Sequence, residues 1–150
     1  MNPDSRLSVA LHVLLHMHEM DGPVTSETLG SMMDVNPVVI RRTLGGLRDA
    51  GIVAAGKGHG GGWSVAAKLE DVSLADVYES LGAASAWRIG LREEAPRCPL
   101  EREVNRAVAE ALAEAEAHLM ERFRTVNVAG LIETARKEKK DHARRHHHRR

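Results

Sequence analysis

Apolar residues at helical spacing open the chain: Leu7, Val9, Ala10, Val13, Leu14 and Met17 share one face. Asp4 or Ser5 caps this first helix, and Asp21-Gly22-Pro23 ends it. A second helix starts with Thr25 or Ser26 as cap, shows Leu29, Met32 and Met33, and stops near Asp34. With Thr25 as cap, the capping-box position holds Thr28 rather than an acid, while Glu27 sits in the first turn, where the helix dipole favours an anion. Asn36 as cap and Pro37 in the first helical position open a third helix, which runs to a glycine stop at Gly51. The period then changes. Residues 52–55 and 63–66 read as short strands around a turn over 56–62 that holds five glycines. A helix capped by Ser73 follows, with Leu74, Val77, Tyr78 and Leu81 on one face and Gly82 as its stop. Residues 83–97 show no period and read as a loop. Pro99 opens a long helix to about Phe123, and a last short helix starts near Thr125 or Asn127 with Val128, Leu131 and Ile132. From about Lys137 no apolar face remains, so residues 136–150 are expected to form a disordered basic His/Arg tail.

Three helices followed at once by a two-stranded glycine hairpin make a winged helix-turn-helix pattern, more specific than a helix-turn-helix alone. The expected fold is mainly α with a small two-stranded β wing, a winged helix-turn-helix plus a long dimerisation helix. The expected division is a DNA-binding domain over 1–82, a loop over 83–97, a dimerisation helix with a C-terminal helix over 98–135, and the tail over 136–150.

At 150 residues, 43% hydrophobic but only 3% aromatic, the chain is long enough to bury a core, and that core is mostly aliphatic. A single cysteine, Cys98, excludes an intramolecular disulfide and any one-chain site needing several thiolates. The apolar run 7–17 contains His12 and His16 and is too short to span a bilayer. With no basic leader before it, a cytoplasmic protein with no membrane partner is expected. The formal charge is zero but uneven. Residues 1–66 carry five basic and six acidic side chains, 67–135 eight and thirteen, and 136–150 eight and two. The basic end suits a tethered, phosphate-attracting patch.

Along the third helix, stepping about 100° per residue from Ile40 places Leu44 and Leu47 within about 40° of it, forming a buried stripe. Val38, Arg42 and Gly45 fall on the opposite face, flanked by Arg41 and Gly46. An interior helix glycine costs about 1 kcal/mol relative to alanine, which suits a helix pressed against a duplex. Arginine takes guanine O6 and N7 in two parallel hydrogen bonds, and valine meets a thymine methyl. Asn36 and the free amides of the first turn suit a phosphate. The bland reading is that the arginines are merely solvated and the glycines merely allow tight helix packing; the hairpin placed directly after tips the balance. Lys57 and His59 make the hairpin a basic wing for a minor groove or a phosphate ridge. The glycine loop lacks the Lys-Ser/Thr ending of a P-loop, so a nucleotide is disfavoured. Trp63 is expected to anchor the wing on the core. The candidate DNA-binding residues are Thr25, Ser26, Asn36, Pro37, Val38, Val39, Arg41, Arg42, Lys57 and His59.

The long helix carries a seam of Val104, Val108, Ala111, Leu112, Ala115, Leu119 and Phe123. Self-association is the simplest cover for it, packing across its own domain being the alternative. Val104, Val108, Ala111, Leu112, Ala115 and Leu119 are therefore the candidate dimer interface.

The segments RLSVALHVLLHM, GPVTSETLG, NPVVIRRTLGGLRDAGIV, GKGHGGGW, SLADVYESLG and CPL closely resemble the Rrf2-type bacterial transcription regulators. That family includes an iron–sulfur cluster regulator, a nitric-oxide-sensitive repressor and a cysteine-metabolism repressor. The resemblance covers roughly residues 5–132. It implies a homodimer of winged heads on a palindromic operator. The family's wing usually carries arginine where this chain has Lys57. Cluster-binding members carry three closely spaced cysteines before the dimerisation helix, and this region has Cys98 alone. The Cys-Pro-Leu form resembles the cluster-free branch, so no cofactor is expected. Cys98, beside Arg97 and before the long helix, is the sensor candidate for a redox or electrophilic signal, weighed against an unreactive packed thiol. Ala84, Ser85 and Trp87 are a possible lining for a small-molecule effector. His12 with His16, and the histidines from His142 to His148, have metal-binding chemistry but no carboxylate-rich pocket, so no metal site is expected.

The function expected is a sequence-specific regulator on double-stranded DNA, a homodimeric repressor that is thiol- or ligand-responsive. The alternative is a winged-helix interaction module that has lost DNA binding. No nucleophile–base pair or paired carboxylates point to an enzyme.

Overall fold

A computed structural model of the chain describes residues 6–82 and 98–147, with side chains described except at 139 and 141–147. Helix α1 (Arg6–Glu19) buries Val9, Ala10, Val13, Leu14 and Met17. Helix α2 (Ser26–Met33) starts at Thr25, whose side chain accepts from the Thr28 amide, and ends at Asp34 with φ 53°. Helix α3 (Pro37–Asp49) is capped by Asn36, whose Oδ1 accepts from the Val38 amide at 2.9 Å. Gly51, at φ 75°, then turns the chain away, a conformation that glycine adopts without steric cost. Strands β1 (Val53–Ala55) and β2 (Trp63–Val65) pair antiparallel, Val53 opposite Val65 and Ala55 opposite Trp63. Val24 exchanges two backbone hydrogen bonds with Trp63, of 2.9 and 2.8 Å, so the α1–α2 linker lies against the wing. Helix α4 (Leu74–Ser80) has a complete capping box between Ser73 and Asp76. Helices α5 (Pro99–Arg124) and α6 (Val128–His147) follow.

One apolar core joins these elements. Ile40, Leu44 and Leu47 are wholly buried, the stripe expected for α3. Val128 and Ile132 of α6 enter the same core as Val9, Leu14 and Val77, so the C-terminal helix belongs to the head rather than to a separate unit. The junction is pinned by backbone: the Val128 amide donates to Val72 at 2.9 Å and the Leu74 amide to Val126 at 2.8 Å. Phe123 packs edge-on against Tyr78, ring centres 5.7 Å apart, and ties the end of α5 to α4. Burial pushes the Tyr78 phenol upward, Glu116 adding to this and Arg6 opposing it. By contrast α5, 26 residues long, has no fully buried residue in the chain itself.

The expectation of a disordered tail over 136–150 is corrected, because α6 continues to His147. Residues 133–147 are largely Glu, Ala, Arg and Lys, good helix formers, and extending a nucleated helix needs no apolar face. The loop over 83–97, with Ala84, Ser85 and Trp87, and residues 148–150 lie outside the described residues.

Candidate nucleic-acid interface

Burying Ile40, Leu44 and Leu47 forces the other face of α3 outward. Val38 is 55% exposed, and Arg41 and Arg42 are exposed beside it. Gly45 opens onto this face: a methyl group there meets no atom within 4 Å. Gly46 does not share that role. A methyl at Gly46 would collide with the Ser80 carbonyl at the end of α4, so this glycine exists for α3–α4 packing. Pro37 and Val39 are half-buried. Pro37 closes the α2–α3 turn over Gly30, where an added methyl would lie 3.1 Å from its Cγ. Asn36 and Thr25 stay exposed at the two helix starts, their side-chain oxygens already accepting backbone amides.

The structure reassigns Ser26. It is 4% exposed, and its Oγ accepts the Trp63 indole N–H at 3.0 Å. The side chain locks the wing to α2 and does not face a ligand; Trp63 anchors the wing as expected. Ser26→Ala leaves that part-buried indole N–H without its acceptor, so thermal denaturation should show a loss of about 1–2 kcal/mol. The wing turn is exposed at Lys57 and His59, with Gly58 at φ 84° and Gly60 at φ 78° shaping it.

Glu27, assigned only to the helix dipole by sequence, reaches across to α3 and forms an ion pair with Arg41 Nη2. Its carboxyl is held below the ordinary glutamate range, first by a backbone N–H of the α2 start and then by Arg41. The C-terminal end of α3 is acidic. Asp49, Asp71, Asp76 and Glu79 line a groove floored by Gly46 and Ser80. A groove of this charge repels a polyanion.

Leu100, at 73% exposure, Val104, at 53%, and Ala111 lie open on α5, whereas Val108, Leu112, Ala115 and Leu119 are half-buried. Cys98 is exposed as the cap residue of α5 and makes no side-chain capping bond. His12 and His16 stack with ring centres 4.9 Å apart. No group of three or more His, Cys, Asp or Glu placed to hold a metal ion occurs among the described residues. Among the same residues no helix is long and apolar enough to cross a membrane.

The family model Rrf2, described as iron-dependent transcriptional regulator, matches residues 4–134. YwnA of Bacillus subtilis, named as an HTH-type transcriptional regulator, is 31% identical over 107 residues, spanning 71% of this chain and 79% of its own. A solved structure named as a transcriptional regulator from Lactobacillus plantarum has TM-score 0.72 at 24% identity, over 85% of this chain and 87% of that one. CymR, the global cysteine regulator of B. subtilis, has TM-score 0.56 at 17% identity, over 87% and 95%. The donor set here does not fit the iron–sulfur form of iron dependence: such a cluster takes about four ligands, and the whole chain offers one thiol.

Proposed function

We propose, from the premise that this chain belongs to the Rrf2 family of transcriptional regulators, that it is a cytoplasmic homodimeric repressor reading a palindromic operator without an iron–sulfur cluster. The family consists of DNA-binding regulators, not enzymes. The observation that carries the reading is the outward face of α3: Val38, Arg41, Arg42 and open Gly45, with Lys57 and His59 on the wing. This face offers a methyl contact, two guanidinium forks and room for close approach, the inventory that major-groove readout requires. The Asn36 side-chain amide N–H groups are what this helix start offers a phosphate, since Pro37 has no N–H and the amides of Val38, Val39 and Ile40 already donate to Asn36. The wing follows the neighbouring backbone.

The dimer is supported by α5, on which no residue is fully buried within its own chain and which exposes Leu100 and Val104. Two copies packed along α5 set the two α3 helices about 34–36 Å apart, one turn of DNA. Repression is steric: the dimer occupies a promoter. An effector, thiol-reactive at Cys98 or a small molecule, releases it by favouring a dimer with the wrong head spacing.

The test is selection of sites from a randomised duplex library by the reduced protein, with the winner titrated at several salt concentrations and the mass measured by sedimentation. We expect a dimer, an enriched two-fold palindrome and a steep salt dependence. A monomer that enriches nothing, and whose weak binding vanishes when residues 137–150 are removed, would overturn the reading.

A further inference from the structure

An acid of α2 reaches the reading face of α3. Glu27, in the first turn of α2, pairs with Nη2 of Arg41, and both side chains are more than half exposed, so neither is there to fill the core. Its charged form is favoured by a backbone N–H at the start of α2, by Arg41 and by the Thr25 hydroxyl. Among the described residues, Arg42 next to it has no comparable ion pair. The two arginines therefore present differently, one held and one free to search.

A guanidinium has five N–H donors. With one engaged by Glu27, enough remain for the two parallel bonds to guanine O6 and N7. A pinned arginine loses less side-chain freedom on binding, so its preference for guanine is sharper than that of a free one. A carboxylate beside the groove also repels phosphates in every register, whereas only the correct base recovers the full set of bonds to Arg41. Specificity is a difference of affinities, and Glu27 lowers the wrong ones more than the right one.

We propose that Glu27 is a positioning residue for DNA reading: it holds Arg41 toward one guanine of each half-site and suppresses binding to other sequences. This rests on the DNA-reading function proposed above. The test uses the full chain with Arg41→Ala, Glu27→Ala and Glu27→Gln, each titrated against the selected operator, single-base variants of it and random duplex.

Arg41→Ala maps the guanine by relaxing one position. Glu27→Ala is expected to relax that same position about tenfold and to tighten binding to random duplex. Glu27→Gln keeps an acceptor for Arg41 without the charge, so it should restore most of the base preference while keeping the tighter random binding. A role confined to the helix start would lower the melting temperature of Glu27→Ala and leave the base preference unmoved. That result overturns the inference, as does relaxation at a cytosine elsewhere in the site, which would make Glu27 a direct reader. If the wild type enriches no site, the proposed function itself fails and this inference with it. If an operator is found and only the Glu27 variants are silent, the inference alone falls.

Discussion

Alanine at both Arg41 and Arg42 abolishes operator recognition while leaving the fold in place. Both side chains are exposed and their removal opens no cavity, so the melting temperature should stay within about 2 °C of wild type. Each arginine paired to a guanine contributes about 1–3 kcal/mol of discrimination. In a homodimer the double substitution removes four such pairs, so specific binding weakens by at least about 10³-fold. The double substitution also leaves Glu27 without its partner on the face that meets the duplex, which deepens the loss. Titration of the selected operator and of random duplex at two salt concentrations checks this. The salt slope should fall by about four for the dimer only if both guanidinium groups of each protomer also neutralise phosphates. Operator binding equal to wild type would remove α3 as the reading element.

Adjacent glycines in the same helix give the second large effect, and in opposite directions. At Gly46 an added methyl meets the Ser80 carbonyl, so backbone faces backbone and no rotamer relieves the clash. Overpacking of this kind costs about 1–3 kcal/mol, and the helix propensity gained by replacing glycine returns up to about 1 kcal/mol. Because neither helix yields without moving the end of α4, Gly46→Ala is expected near the upper end of that cost, a melting temperature lower by roughly 5–10 °C. Gly45→Ala meets nothing within 4 Å and should stabilise the chain by about 0.5–1 kcal/mol. The same methyl stands on the reading face and weakens operator binding. Thermal melts of the two variants, run side by side, decide it: equal shifts would contradict the packing described for α3 and α4.

These glycines also mark where sequence reasoning stops. In the chain they are neighbours of one residue type, open alike to two readings, close approach to a duplex and tight helix packing. What separates them is α4, more than 30 residues later, arriving under one and not the other. The legible features were local. Periodicity placed Ile40, Leu44 and Leu47 inward, the Asn36-Pro37 and Ser73 caps placed helix starts, and a glycine run between short β-prone segments placed the wing. Contacts between segments were not legible. Glu27 meets Arg41 across 14 positions and Ser26 meets Trp63 across 37, and neither spacing has a signature in a single sequence. The extension of α6 was missed for another reason. Lack of an apolar face argues against burial, not against a helix whose first turns are already anchored by Val128 and Ile132.

The anchoring of α6 has a mechanical consequence. Because Val128 and Ile132 sit in the core of the head, and Phe123 rests on Tyr78, the head is welded to the far end of α5. At about 1.5 Å per residue, the 26 residues of α5 make a rod of about 39 Å. Within the proposed dimer such a rod is a lever with its fulcrum between the two copies. A rotation of about 10° there sweeps each head through about 7 Å, the rise of about two base pairs. A signal need not reach α3 through the protein interior at all. A small change in the crossing of the two rods, far from the DNA, is geared up into a misfit of whole base pairs.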